Sequence, residues 1–313
     1  MTPTVSVVIC AHTLSRYDLT LRCITSALTG SLTPDEVLVV IDNNTTLSRA
    51  IEAATHHLPV TLLSNAGLGA AAARTTAIHV ARSEIVAFID DDAIPEHNWL
   101  AELIRPFSTQ PIVAVGGAIV PDWEPGAALL PPELLWIVGA TYRGHPTVPG
   151  PISRPIGANM AATRAALLEV GGFPQHFGPR DGVKTSSNEE LAVFGKVRQR
   201  YGNNSIWYTP DAIVHHFAPA ARTRLPYVIK RSWVEGTSKA AALHFVGRGT
   251  LRHDRSYLSH TLLPAILTYM VRPSTRADRR FGLLCILSLA VTSSGYVTGY
   301  MRNRSQIRKE ARV

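Results

Sequence analysis

A chain of 313 residues with 46% hydrophobic and 17% charged content is a folded protein of one large or two fused units, which excludes a disordered or fibrous one. Its net charge of +8 is unevenly spread, because residues 221–313 hold 17 Lys and Arg against 4 Asp and Glu, whereas the remainder holds 14 against 19. The basic excess of the last third predicts an anionic partner there: a membrane surface, nucleic acid or a lipid-linked phosphate.

In chain order, Val5 to Cys10 is a continuous apolar run suited to a central parallel strand. It is too short for a signal segment and no basic leader precedes it. Cys10, Cys23 and Cys285 are odd in number and lack metal-ligand spacing, which predicts a reducing, cytoplasmic setting. A helical pattern through Leu19 to Leu28 follows, then strands at Glu36 to Ile41, Val60 to Leu63 and Ile85 to Ile89, with helices at Leu47 to Ala54 and Gly69 to Arg82 between them. Alternating strands and helices predict an α/β fold with a mostly parallel sheet flanked by helices, whose ligands sit at the carboxyl ends of the strands.

Pro95 is expected to open a helix carrying Trp99 to Phe107, and Ile112 to Val120 to form another strand. Pro121 to Pro155 is rich in Pro and Gly and has the profile of a substrate-facing loop or lid. Helices are predicted at Thr163 to Val170 and Glu189 to Tyr201, around a polar stretch from Pro179 to Asn188, followed by two short strands, Ser205 to Tyr208 and Ala212 to His216. Residues 246–313 read as a basic helical extension beyond a main domain ending near 245. Within it, Tyr257 to Val271 and Phe281 to Tyr300 are apolar and bracketed by arginines. The second is long enough to span a bilayer, but Ser288, Thr292, Ser293, Ser294, Gly295 and Thr298 favour a helix lying at an anionic membrane surface. A packed helical appendix or a homo-oligomer interface is the other reading.

Chemistry concentrates at few points. Asp90, Asp91 and Asp92 follow a buried strand, where stacked carboxylates repel unless a cation compensates them. Their hard oxygens suit Mg²⁺ or Mn²⁺, with open positions for a diphosphate. Asp42, at the end of the second strand, can accept hydrogen bonds from a base or ribose, although Asp-Asn-Asn is also turn chemistry. Asn65 and Gly67, ahead of Arg74, place glycines at a helix start that can cradle phosphate, yet neither a P-loop nor a Rossmann fingerprint is present. Glu189 and Glu190 either complement the dipole of a helix N-terminus or supply a general base, and as helical neighbours only one is expected to face a given point. His215 and His216 end a strand and either can join a metal shell or bind phosphate; Arg222 and Arg224 clamp phosphate or lie at the surface.

Taken together, VSVVICAHTLSRY, VVIDNN, Asn65 with Ala73-Arg74, IVAFIDDDAIPEHNWL, GANMAATRAALLEVGGF, NEEL and the histidine at 216 resemble family 2 glycosyltransferases of the GT-A fold, over about residues 4–245. The resemblance implies metal-dependent, inverting transfer of a sugar from a nucleoside-diphosphate sugar to a hydroxyl acceptor. It puts the nucleotide-binding aspartate at Asp42, with Ala11, His12, Asn65, Gly67, Arg74, Asp90 and Asp91 on the donor side. The metal falls to Asp90, Asp92 and His216, with Asp92 the direct ligand and Asp91 a spacer. The base falls to Glu190, with Glu189 beside it where the family has an E-D pair; Asn159 and Trp123 take the acceptor side. Glu235-Gly236-Thr237-Ser238-Lys239 resembles an E-G-x-S-K segment of some actinobacterial members. A sugar nucleotidyltransferase shares such carboxylates but should carry a Gly- and Arg/Lys-rich phosphate loop after the first strand, which Ala11-His12-Thr13-Leu14 is not. A non-catalytic protein binding membrane or nucleic acid through the basic third leaves the acidic front sites without a purpose, so no nucleic-acid partner is expected.

Overall fold

Alternate residues of the apolar strands face two different cores, which is what a strand covered on both sides requires. Val7 and Ile9 of β1 (Val5–Ala11) point into a core with Val37, Val39, Leu47 and Trp99, while Val8 points the other way onto Leu38, Val40, Phe88 and Ile78. This computed structural model describes residues 3–65, 67–174, 189–246, 252–273 and 275–310. The expected stretch from Pro179 to Asn188 lies outside them.

Strands β2 (Glu36–Ile41), β3 (Val60–Ser64) and β4 (Ile85–Asp90) join β1 in parallel. Helices α1 (Tyr17–Leu28), α2 (Thr45–Thr55) and α3 (Ala70–Val80) connect them, as the alternation predicts. Beyond β4 the described sheet becomes mixed. It runs β3-β2-β1-β4-β8-β6-β9-β5, where β5 is Ala93–Pro95, β6 Ala114–Trp123, β8 Asn159–Thr163 and β9 Ile206–Ala218, and the short β7 (Gly150–Pro151) also pairs with β9. Helices α4 (Trp99–Thr109), α5 (Arg164–Glu169) and α6 (Glu189–Tyr201) cover this part.

Three expectations change. Pro95 does not open a helix; it closes β5, pairing with Val214, and α4 begins at Trp99. A proline at an edge position sacrifices no ladder hydrogen bond. Instead of two short strands, β9 is continuous with a bulge, since its pairing with β6 jumps from Gly117–Thr209 to Ala118–Ile213 and Pro210 falls in the extra residues. The Pro- and Gly-rich stretch faces the cavity described below, through Trp136, Tyr142 and Arg154 among others, but as packed structure and not as a free lid: β6 runs on to Trp123, and a 3₁₀ segment, Pro132–Val138, buries Leu134, Ile137 and Val138.

That segment also anchors the C-terminal helices. Glu133 is fully buried; its carboxylate accepts from Arg143 at 2.7 Å and the Tyr269 hydroxyl at 3.2 Å, and its carbonyl accepts from the Tyr257 hydroxyl at 2.7 Å. Helix α7 (Leu225–Val246) lies along α10 (Arg276–Glu310), with α8 (Arg252–Tyr257), a π-helical turn and α9 (Leu263–Val271) between them in sequence. Small residues make the α7–α10 contact. A Cβ on Gly295 would sit 2.6 Å from the Trp233 carbonyl, one on Gly299 would sit 3.0 Å from Ala240 Cβ, and one on Gly236 would overlap the Thr292 carbonyl. Ser232 and Ser288 hydrogen-bond across the same seam at 2.9 Å. Hence Ser288, Thr292 and Gly295 turn toward α7, and Leu267, Val271, Leu283, Val297 and Met301 are left exposed. Among the described residues one helix, over Arg276–Arg302, is long and apolar enough to cross a membrane.

Candidate active site

The Asp triplet sits where β4 ends, and the short β5 governs what it meets. Pairing of Ala93 with His216, reinforced by the Phe217 amide donating to the Asp92 carbonyl at 2.9 Å, carries β9 past the triplet. Strand alternation then turns His216 inward and His215 outward, where it meets the exposed Glu96 at 3.0 Å. His216 Nε2 lies 3.1 Å from Asp92 Oδ1 and 4.0 Å from Asp90 Oδ2, and one ligand atom from each residue falls within a 4.8 Å group.

Two carboxylates and an imidazole, convergent at a strand end, are a donor set that fits a divalent cation. Burial alone would push the Asp92 carboxyl up, but the hydrogen bond and charge of His216, then Arg16 and Arg222, bring it down to about 2. Asp91 is more than a spacer: Arg16 Nη1 donates to its Oδ1 at 2.8 Å while Arg16 Nη2 reaches Asp92 Oδ2 at 3.0 Å. Burial nonetheless pushes Asp91 up to about 7. Arg16 escaped the sequence reading because an arginine after a first strand looks like any surface residue; the quoted VSVVICAHTLSRY ends beside it. Of the two downstream arginines, Arg222 lies 3.9 Å from Asp92 Oδ2, and Arg224 is exposed.

Arg74 is the hub of the opposite wall. Its buried guanidinium reaches Glu189 Oε1 at 2.9 Å, Glu190 Oε1 at 3.0 Å, Asp90 Oδ1 at 3.2 Å and the Gly157 carbonyl at 3.4 Å, with the Phe173 ring 5.5 Å below. Two expectations are thereby corrected. Arg74 is engaged by carboxylates and does not stand open to a phosphate, and both glutamates share it, because at the very start of α6 neighbouring side chains can converge on one cation. Burial, then the charge of Glu190, holds the Glu189 carboxyl up at about 7 against Arg74. Gly157 must lack a side chain, since a Cβ there would overlap Glu190 Oε1.

At the other edge, Asp42 accepts from Asn65 Nδ2 and from the Gly69 amide, both at 2.8 Å, and Gly67 donates to Asn65 Oδ1 at 3.1 Å. The helix-start amide expected to cradle phosphate is thus given to Asp42. Ala11 is buried at the end of β1, accepting from the Asp42 amide, and His12 is exposed beside it. The acceptor-side expectations do not hold geometrically. Asn159 is wholly buried, accepting from Trp99 Nε1 and donating to the carbonyls of Ala118 and Ala212, each at 2.8 Å, so that it bridges the β9 bulge. Gly117 makes room, because a Cβ there would overlap the Asn159 amide. Trp123 packs on the core at the far end of β6 and does not line the cavity.

That cavity has a volume of about 820 Å³. Its lining takes in His12, Arg16, Arg74, Asp90, Asp91, Glu189, Glu190 and His216, then continues through Tyr142 and Arg154 to Arg231, Lys239, Leu258, Leu289 and Val297. Burial pushes the Cys10 thiol on its wall up to about 12, so no thiolate nucleophile stands there.

A parallel half-sheet turning mixed beyond β4, with an acidic cluster at the turn and carboxylates on a facing helix, is the GT-A architecture of glycosyltransferases that use nucleotide-sugar donors. The chain belongs to glycosyl transferase family 2, whose model matches residues 6–171. It is 30% identical over 239 residues to the glucosyl-dolichyl phosphate glucuronosyltransferase of Haloferax volcanii, covering 75% of this chain and 76% of that one. A mannosyltransferase of Pyrobaculum calidifontis, solved with GDP-Man and Mn²⁺, has a TM-score of 0.59 at 18% identity, covering 95% of this chain and 88% of its own. Glucosyl-3-phosphoglycerate synthase of Mycobacterium tuberculosis, solved with Mn²⁺, UDP and its product, has a TM-score of 0.50 at 19% identity, over 78% and 80%. Both solved structures share the fold.

Proposed function

We propose that this glycosyltransferase moves a sugar from a nucleoside-diphosphate sugar to a hydroxyl of a lipid-linked acceptor, with inversion at the anomeric carbon. The observation that carries the reading is one continuous cavity that joins the carboxylates of the sheet to apolar side chains of the C-terminal helices. The lipid-phosphate substrate in the name of the Haloferax relative supports the acceptor class.

Asp90, Asp92 and His216 would hold Mn²⁺ or Mg²⁺, the imidazole tilting the set toward Mn²⁺. Such an ion, when bound, supplies positive charge against the departing diphosphate. Ala11, His12, Asp42, Asn65 and Gly67 rim the donor side at the ends of β1 to β3. Glu190 takes the acceptor hydroxyl proton; the freed oxygen bonds to the anomeric carbon as the bond to the diphosphate breaks, and a nucleoside diphosphate leaves. Glu190 takes the base role that the family's E-D pair gives its second member, and its Oε1 lies against Gly157 on the cavity wall that leads to Arg154. Arg74 fixes both glutamates against Asp90 and so sets the angle between base and donor.

The exposed apolar side chains of α9 and α10, with Arg272, Arg276, Arg279 and Arg280 at their junction, support attachment to the cytoplasmic face of an anionic membrane. A panel of nucleotide sugars incubated with the full chain, Mn²⁺ and glycosylated isoprenyl-phosphate acceptors, which carry free sugar hydroxyls, tests the reaction. Free nucleoside diphosphate and an inverted anomer are expected; pyrophosphate or a retained anomer overturns it.

A further inference from the structure

The end of the cavity away from the Asp triplet is lined by cations, and two carboxylates hold three of them. Glu235 pairs with Arg231 at 3.0 Å, with Lys239 at 3.2 Å and, at longer range, with Arg154 at 3.9 Å. Asp254 pairs with Lys239 at 2.8 Å, and its charge also acts on Arg154. The spacing explains the Glu235-Gly236-Thr237-Ser238-Lys239 segment. Residues 235 and 239 share the cavity face of α7 at i and i+4, while Gly236 faces the seam with α10.

The Arg154 and Lys239 side chains are only 18% and 17% exposed. A largely buried positive charge without a full counter-charge is costly, and among the described residues three guanidinium or ammonium groups stand around two carboxylates, an excess of about one charge that an anion entering the cavity would meet. A phosphate does this well, since arginine forks match its oxygens. The group sits close to the chemistry: Arg154 lies three residues before Gly157, whose carbonyl accepts from Arg74, and the Glu190 charge is felt at Arg154. Beyond the cations the wall becomes apolar, with Leu258, Leu262, Leu289 and Val297, and carries the hydroxyls of Ser288 and Thr292.

We propose that Arg154, Arg231 and Lys239 form the subsite that seats a phosphate group of the acceptor, placing its hydroxyl at Glu190. The proposal rests on the glycosyl-transfer reading for its purpose, but its ligand chemistry is separable from turnover. The phosphate can belong to a lipid carrier, whose chain would follow the apolar wall, or to a soluble phosphorylated acceptor.

Binding to the full chain in detergent is measured calorimetrically with farnesyl phosphate, farnesol and glycerol 3-phosphate. Farnesyl phosphate should bind at least about tenfold tighter than farnesol, and Arg154→Gln or Arg231→Gln should erase most of that advantage while Arg154→Lys keeps part of it. Binding of a nucleoside diphosphate with Mn²⁺ reports that each variant is folded. Displacement of farnesyl phosphate by glycerol 3-phosphate supports the subsite with a soluble acceptor; failure to displace supports it with a lipid one. Equal affinity of the wild type for farnesyl phosphate and farnesol overturns the proposal, as does an undiminished preference in folded Arg154→Gln and Arg231→Gln. If the preference holds but no nucleotide sugar is consumed, the transfer reading fails and the subsite stands.

Discussion

The two ends of the cavity are built on opposite electrostatic plans. At the sheet end, carboxylates outnumber the cations that hold them, and Arg16 and Arg74 fix their orientation from either side. At the helical end, cations outnumber carboxylates and the frame is a seam of small residues between α7 and α10. The first arrangement suits a divalent ion and a proton acceptor; the second suits an anion carried by the other substrate. One cavity can therefore hold two negatively charged reactants by different means, a diphosphate through a divalent ion at the sheet end and an anion directly on the cations of the helical end.

The sharpest way to break this comparison is at the sheet end. Asp92→Ala should lower kcat by about 10³-fold and abolish the thermal shift given by Mn²⁺. Glu190→Gln should lower kcat by about 10²-fold or more with donor affinity kept, whereas Glu189→Gln should cost less; the reverse order, measured in folded variants, moves the base to Glu189. At the helical end, Gly295→Val forces a side chain toward the Trp233 carbonyl and should cost about 1–3 kcal/mol in urea unfolding. Leu283→Glu, on the exposed face of α10, should weaken flotation with anionic phosphatidylglycerol vesicles about tenfold and leave the urea midpoint unchanged.

The smallest expected effect concerns pH. Because the Glu189 carboxyl is held at about 7 against an ordinary 4.5, its protonated form is favoured in the folded chain. The stability it contributes is full below about pH 4.5 and is lost as pH rises through 7. Glu189→Gln should therefore flatten the fall in unfolding free energy over that window, and the acid limb of kcat/KM should shift with it.

Much of the sheet end was legible because continuous apolar runs leave few alternatives: β1, β2 and β4 fall where the pattern puts them, and the triplet, Asp42 and His216 sit just past strand ends. What stayed hidden depends on contacts distant in sequence. Strand β5 is three residues long and exists only because β9 pairs with it. Arg16 meets its aspartates across 75 positions, and nothing near it in sequence announces the meeting. Asn159 looked like a substrate contact because a buried amide holding a bulge and an amide holding a sugar hydroxyl read alike. In α10 Ser288, Thr292 and Gly295, which argued against a spanning helix, turn toward α7, while Ser293 and Ser294 stay exposed, as do Leu283, Val297 and Met301.

Asn159 also acts as a counting device. Side chains on a strand alternate, so a slip of one residue in β9 would present His215 to the cavity and turn His216 to solvent. By gripping the carbonyls of Ala118 and Ala212 together, one amide locks the phase of everything downstream on that strand. Insertions of a single residue between 212 and 216 should therefore be far more damaging than insertions before Pro210, even though neither touches a reacting atom.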